Sequence, residues 1–131
     1  MAVRRIAAIL YTIATVVVVA FQIALALGAP WGKFAMGGAY PGQFPPPLRV
    51  TAVIQALLLL GFMLVVLGQA GLISLSGWRA ARWLLWVVVV FSTVSLILNL
   101  ITPSAGERAI WAPVALVMLV GSGVVAFMKP S

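Results

Sequence analysis

Four long apolar segments constrain the fold of this chain more than any other feature. They cover residues 6–27, 50–72, 83–101 and 110–128, and none contains Asp, Glu, Lys or Arg. A helix needs about 20 mostly apolar residues to cross about 30 Å of hydrocarbon, so each segment is long enough. Because lipid cannot satisfy backbone polar groups, each must be helical even where valines cluster. The sequence therefore predicts an all-α integral membrane four-helix bundle, one domain over residues 1–131.

The chemistry open to the chain is narrow, because reactive residue types are missing. Charged residues make up only 7% of the chain, against about 25% in soluble domains. There is no Cys or His, and Glu107 is the only acid. The chain therefore lacks a base that would activate a nucleophile, a carboxylate pair and a set of metal ligands. We expect no enzyme, no metal and no cofactor.

The same composition argues against proton-coupled transport. Proton-coupled carriers usually hold a titrating acid or histidine inside a span, and none of the four segments contains one. This argues against a small multidrug-resistance transporter. Glu107 lies between the third and fourth segments, where we expect an exposed surface acid; the alternative is an ion pair with Lys33 or Arg49 that closes the loop over the mouth. The first segment is also longer than the roughly 7–15 residues of a signal-peptide core, so we expect it to be retained.

The cations predict the orientation of the bundle. One side would carry Arg4, Arg5, Arg79, Arg82 and Lys129, and the other Lys33, Arg49 and Arg108. The richer side normally faces the cytoplasm, so both termini would face in and the connection over residues 28–49 would face out. Although the net charge is +7, the cations stand singly at the ends of apolar segments. We therefore expect lipid head groups, and no nucleic acid, as their partners.

The outer loop over residues 28–49, GAPWGKFAMGGAYPGQFPPPLR, is unusual in length and composition. Helix connections in bundles usually take about 2–8 residues. We expect the prolines at 45–47 to be extended, since proline fixes φ and restricts its predecessor. The loop also carries large apolar residues that would be unfavourable in water. We therefore expect it to cover the outer mouth of the bundle.

Small residues spaced four or seven apart predict close helix contacts. The first segment has Ala20, Ala24 and Gly28, the second has Gly61 and Gly68, and the fourth has Ser122 and Ala126. Such spacing lets two helix backbones approach in lipid. These faces can hold the bundle together or mediate a homodimer, and the sequence leaves both interpretations open.

Side-chain amides on three segments lie at one depth. At about 1.5 Å per residue, Gln22 and Gln55 lie roughly 8–9 Å below the outer boundary, and Asn99 lies near that level. They can form a hydrogen-bonded cluster between helices or line a pocket with polar head contacts and an apolar floor. Trp31 and Trp111 would form aromatic walls, and Lys33 and Arg49 would attract an anionic head group. Deeper hydroxyls would bond to their own helices, as for Thr12, Thr15, Ser92 and Thr93.

Several motifs resemble those of small uncharacterised four-span bacterial membrane proteins. They are GAPWGKFAMGG with the proline run and Leu48-Arg49, then Glu107-Arg108 and the segment WAPVAL over residues 111–116. That group often has an acidic residue where this chain has Lys33. The resemblance implies a bacterial plasma membrane and carries no activity.

We therefore expect a non-enzymatic membrane protein whose outer mouth binds a lipid-like small molecule or a partner membrane protein. The alternative is an oligomeric channel or an uncoupled small-molecule transporter. The candidate ligand contacts are Gln22, Trp31, Lys33, Arg49, Gln55, Asn99 and Trp111.

Overall fold

The computed structural model describes residues 2–74 and 82–128 and confirms the all-helical bundle. The long helices are α1 (Ala2–Ala26), α2 (Pro46–Gln69), α3 (Trp83–Ile101) and α4 (Ala105–Phe127). Each is long and apolar enough to cross a membrane, so the chain is a multi-pass membrane protein. Residues 27–45 join α1 to α2 and contain two short 3-10 turns; we call them the long loop. We call the end of the bundle beside it the loop end, and the opposite end the far end.

The start of α2 differs from the prediction for the proline run. Pro45 is extended, with φ −65° and ψ 158°, but Pro46 and Pro47 form the first turn of α2. Proline suits this place, because its fixed φ is helical and the first helical N–H groups have no intrahelical partner. The extended conformation predicted for Pro46 and Pro47 was therefore wrong, and Arg49 lies inside a helix.

The start of α4 also lies earlier than the apolar pattern indicates. The Ser104 hydroxyl accepts a hydrogen bond from the Glu107 backbone N–H at 3.2 Å and caps the helix at Ala105. The turn between α3 and α4 is therefore only residues 102–104. This early start brings Glu107 into the first turn of α4, directly beside the long loop.

The hydrophobic core fills mainly the far half of the bundle. Helix α1 packs closely against α2 and α4, and α3 packs against α4, whereas α2 and α3 contact each other over a short stretch. The largest fully buried apolar residues of this core are Tyr11, Val66, Leu85, Val88 and Val125. Many large apolar side chains on the outer surfaces are exposed, as expected for surfaces that face lipid.

The backbones of α1 and α4 approach each other closely at Gly121. A Cβ atom at Gly121 would lie 2.8 Å from the Ala7 carbonyl oxygen and 3.1 Å from the Tyr11 Cβ. Ser122 and Ala126 are buried at the same face, so the small-residue spacing on α4 does mark an interface within the bundle.

Three positions of the other small-residue patterns do not share that role. Ala20 is exposed on α1, and a Cβ at Gly61 would meet open space. Gly28 lies beyond the end of α1 with φ 101°. A homodimer through the exposed faces stays a prediction.

At the far end, two arginines form hydrogen bonds that link α1 and the start of α3 to α4. An Arg4 Nη atom donates to the Val125 carbonyl at 2.9 Å, and an Arg82 Nη atom donates to the Ala126 carbonyl at 3.3 Å. The starts of α1 and α3 are therefore fixed to the end of α4. Arg79 and Lys129, which the orientation prediction also uses, lie outside the described residues.

Candidate functional site

A cavity of about 790 Å³ lies at the loop end, between the helices and beneath the long loop. All four helices and the loop contribute to its walls. Its size falls within the roughly 300–1,000 Å³ that small-molecule pockets usually span. A second hollow, of about 510 Å³, lies on the surface of α3 and is lined only by apolar residues, from Trp86 to Val94. The first cavity is the candidate site, because it combines polar and apolar walls.

The amides predicted to converge do line this one cavity. Gln22 Nε2 donates to Gln55 Oε1 at 2.9 Å, which joins α1 to α2. Asn99 faces the same cavity, but its Nδ2 donates to the Ser95 carbonyl of its own helix at 2.7 Å. The site therefore holds one interhelical amide pair and one separate amide. Their role as ligand contacts stays a prediction.

The two predicted aromatic walls have different positions. Trp111 lines the cavity, and its indole Nε1 donates to the Phe34 carbonyl at 2.9 Å. Phe21 lies against it, with ring centroids 4.7 Å apart. Trp31 does not line the cavity; it is 47% exposed and stacks on Phe21 at 6.5 Å. Trp31 therefore packs on a cavity-lining residue, Phe21, without lining the cavity itself.

Lys33 and Arg49 also lie outside the cavity lining. Lys33 is exposed, and its Nζ lies 4.9 Å from the centroid of the Phe34 ring. Arg49 Nε donates to the Phe44 carbonyl at 2.8 Å, and its guanidinium lies beside Gly28. Because α2 begins at Pro46, Arg49 projects from the first helical turn toward the loop and the end of α1. Both cations contact the loop, so the structure does not bring them to the site.

Glu107 lies inside the site, contrary to its expected place on the surface. Its side chain is only 7% exposed and lines the cavity. One carboxylate oxygen accepts a hydrogen bond from the Gly37 backbone N–H at 3.2 Å. The first turn of a helix favours a carboxylate, since its N–H groups and dipole are positive there. The pattern Ser104-x-x-Glu107 is a capping-box signature from which the sequence could have predicted this placement.

The long loop is attached to the start of α4. The Ser104 hydroxyl donates to the Lys33 carbonyl at 2.8 Å, in addition to the loop contacts of Glu107 and Trp111. Gly106 lies so close to the Phe34 ring that a Cβ there would be 2.6 Å from the Phe34 Cε1. These contacts join the first two turns of α4 to the loop beside the cavity.

The loop is also folded against itself and against α2. The Gly32 N–H donates to the Gly42 carbonyl at 3.1 Å, and a Cβ at Gly32 would overlap the backbone oxygen of Tyr40. Phe44 is buried against Leu25 and Ala52. The loop is therefore a packed cover with its own apolar anchor.

The cavity opens sideways between α2 and α3. Leu58 on α2 and Leu98 on α3 line it and are nevertheless 43% and 57% exposed. Further from the loop, the rings of Phe62 and Phe91 meet with centroids 5.1 Å apart and close the gap. From Phe91 to Ile101 the helix rises about 15 Å, or half of a hydrocarbon core of about 30 Å. The opening thus faces the lipid-exposed surface over roughly one leaflet.

The chain matches no protein-family model, no curated protein and no solved structure, so the geometry of the cavity is the basis for any functional assignment.

Proposed function

We propose that the protein binds a lipid-like amphiphile in the cavity beneath the long loop. The observation that supports this most strongly is the division of the cavity walls. The polar side chains Gln22, Gln55, Asn99 and Glu107 line the part of the cavity toward the loop, and apolar side chains form the deeper walls. An apolar pocket with a few convergent polar groups is the usual composition of a ligand site.

The lateral opening gives the amphiphile a binding orientation. Its head would lie under the loop beside the amides, and its chain would extend along the seam between α2 and α3. Leu58, Val94 and Leu98 line that seam and are exposed to the hydrocarbon side. A molecule from the surrounding leaflet can therefore enter without crossing the loop.

The opposite half of the bundle favours a closed pocket over a pore through a single chain. Leu59 and Met118 line the deep part of the cavity, and both are buried. Beyond them lies the apolar core around Leu85 and Val88. We place the protein in a bacterial plasma membrane with the long loop outside, as a non-enzymatic binding protein.

The first test is native mass spectrometry of the protein purified in a mild detergent, followed by identification of copurified molecules. Wild-type protein should carry an amphiphile. The double variant Gln55→Leu/Asn99→Leu should lose it, while the exposed loop variant Gln43→Leu should retain it. Unchanged copurification in the double variant, together with unchanged thermal stability, would remove the proposal.

A second test blocks the opening. Leu98 and Leu100 lie on the same helix and are 57% and 54% exposed, but only Leu98 lines the cavity. Leu98→Trp should reduce the bound amphiphile, and Leu100→Trp should leave it unchanged. Equal occupancy in the two variants would contradict entry through the α2–α3 seam.

A further inference from the structure

The lining of the cavity carries an acidic residue and no basic one, whereas the chain as a whole has a net positive charge. The sequence contains 8 basic residues and 1 acidic residue, for a net charge of +7. Among the residues that line the cavity, however, Glu107 is the only one with an ionisable charged side chain. Any head group that enters therefore meets a carboxylate and no cation of the lining.

The hydrogen bonds of Glu107 leave part of this carboxylate free. Its Oε2 accepts from the Gly37 N–H at 3.2 Å, and within residues 2–74 and 82–128 its Oε1 has no hydrogen-bond donor and neither oxygen pairs with Lys or Arg. An ionised carboxylate has two oxygens with about four acceptor positions. Because the carboxylate lines the cavity and keeps free acceptor positions, a positively charged donor on a ligand can form a charge-assisted hydrogen bond with it.

This charge distribution selects among head groups. An anionic head would be repelled by Glu107, and the cations expected to attract it, Lys33 and Arg49, are not part of the cavity lining. A quaternary ammonium would supply charge without an N–H donor. A primary ammonium supplies both, and its apolar tail fits the seam between α2 and α3.

On the basis of the proposed function, we infer that the ligand is an amphiphile whose head carries a primary ammonium group that donates to the Glu107 carboxylate. Gln22, Gln55 and Asn99 surround the head as neutral partners. The source can be an amine-headed phospholipid of the membrane or a single-chain alkylammonium compound, because both present the same group.

The test uses the full chain in mild detergent and native mass spectrometry. The protein is incubated with equal amounts of dioleoyl phosphatidylethanolamine, phosphatidylcholine and phosphatidylglycerol. Wild type should favour phosphatidylethanolamine over each of the others by roughly ten-fold, the factor expected for a charged hydrogen bond. Glu107→Gln should still bind lipid but lose this preference, since its amide can accept from Gly37 without a negative charge.

A matched control separates the local effect from net charge. Gln43→Lys also raises the net charge by one, and Gln43 is an exposed loop residue outside the cavity lining. It should keep the wild-type preference. A parallel incubation with dodecylammonium identifies the source: displacement of phosphatidylethanolamine indicates a shared site, and Glu107-dependent binding of dodecylammonium alone indicates a non-lipid amine.

Other results overturn the inference. Equal binding of the three phospholipids by wild type, with no Glu107-dependent binding of dodecylammonium, contradicts the ammonium assignment but leaves the lipid cavity in place. Stronger binding of phosphatidylglycerol does the same. An unchanged preference in Glu107→Gln assigns the selectivity to another group. Absence of any bound amphiphile removes the proposed function as well.

Discussion

The indole Nε1 of Trp111 donates a hydrogen bond to the Phe34 backbone oxygen, 2.9 Å away, across 77 positions of the sequence. The contact joins the second turn of α4 to the middle of the long loop. Ser104 and Glu107 make further loop contacts from the first turn. The loop therefore leads into α2 but is held from the opposite side of the cavity by α4.

We expect Trp111→Phe to loosen the loop without unfolding the bundle. Phenylalanine retains an aromatic ring beside Phe21 but cannot donate to the Phe34 carbonyl. A hydrogen bond of this kind contributes about 0.5–1.5 kcal/mol, so backbone amides of the long loop should exchange roughly two- to ten-fold faster. Hydrogen-exchange mass spectrometry measures this, with the exposed far-end variant Trp83→Phe as control. Equal exchange in both variants would contradict the role of this bond.

A larger side chain at Gly106 should displace the loop directly. A valine at this position would overlap the Phe34 ring, because even its Cβ would lie 2.6 Å from the Phe34 Cε1. Overpacking of this kind typically costs about 1–3 kcal/mol. Gly106→Val should therefore lower the thermal unfolding temperature and raise loop exchange. Ala105→Val adds the same branching at an exposed neighbour and should have a much smaller effect.

The amide pair can be tested by a double-mutant cycle. Because Gln22 and Gln55 bond each other, Gln22→Leu and Gln55→Leu should show a coupling free energy of unfolding of about 0.6 kcal/mol, the average for membrane hydrogen bonds. Asn99 bonds its own helix, so a cycle between Gln22→Leu and Asn99→Leu should show coupling near zero. Reversible unfolding in mixed micelles gives both values. Equal coupling in the two cycles would show that the amides act as one network.

The contact between α1 and α4 predicts a strong difference between two neighbouring glycines. Gly121→Val would press on the Ala7 carbonyl and Tyr11, whereas a side chain at Gly123 meets open space. We expect Gly121→Val to lose about 1–3 kcal/mol of stability and Gly123→Val to be near neutral. Thermal unfolding in detergent distinguishes them. Similar melting temperatures would mean that the two helices can separate without cost.

The helices were predictable because the bilayer constrains them strongly. Uncharged segments of this length must be helical in hydrocarbon, so the bounds predicted for α3 agree with the structure. The shared cavity of Gln22, Gln55 and Asn99 was predictable for a related reason: antiparallel helices with a fixed rise convert sequence position into depth. The ligand role of these amides is a further step that depends on the proposed experiments.

The loop end was less predictable because local chemistry decides it. Hydropathy shows where a segment can cross lipid but not where its helix begins, so the prediction of an extended Pro46 and Pro47 was wrong. The same reasoning placed Glu107 on the surface, although Ser104 starts α4 early enough to turn it inward. The directions of Lys33 and Arg49 depend on backbone carbonyls of the loop and on the Phe34 ring, which composition alone does not position.

Entry through the seam between α2 and α3, as proposed, would change the concentration that governs loading. An amphiphile that resides in the monolayer and enters through this seam would be supplied by two-dimensional diffusion, so its loading would follow its mole fraction in that monolayer. A rise in that mole fraction would fill the protein even when the aqueous phase is unchanged. The fraction of protein with bound ligand would then report the composition of that monolayer.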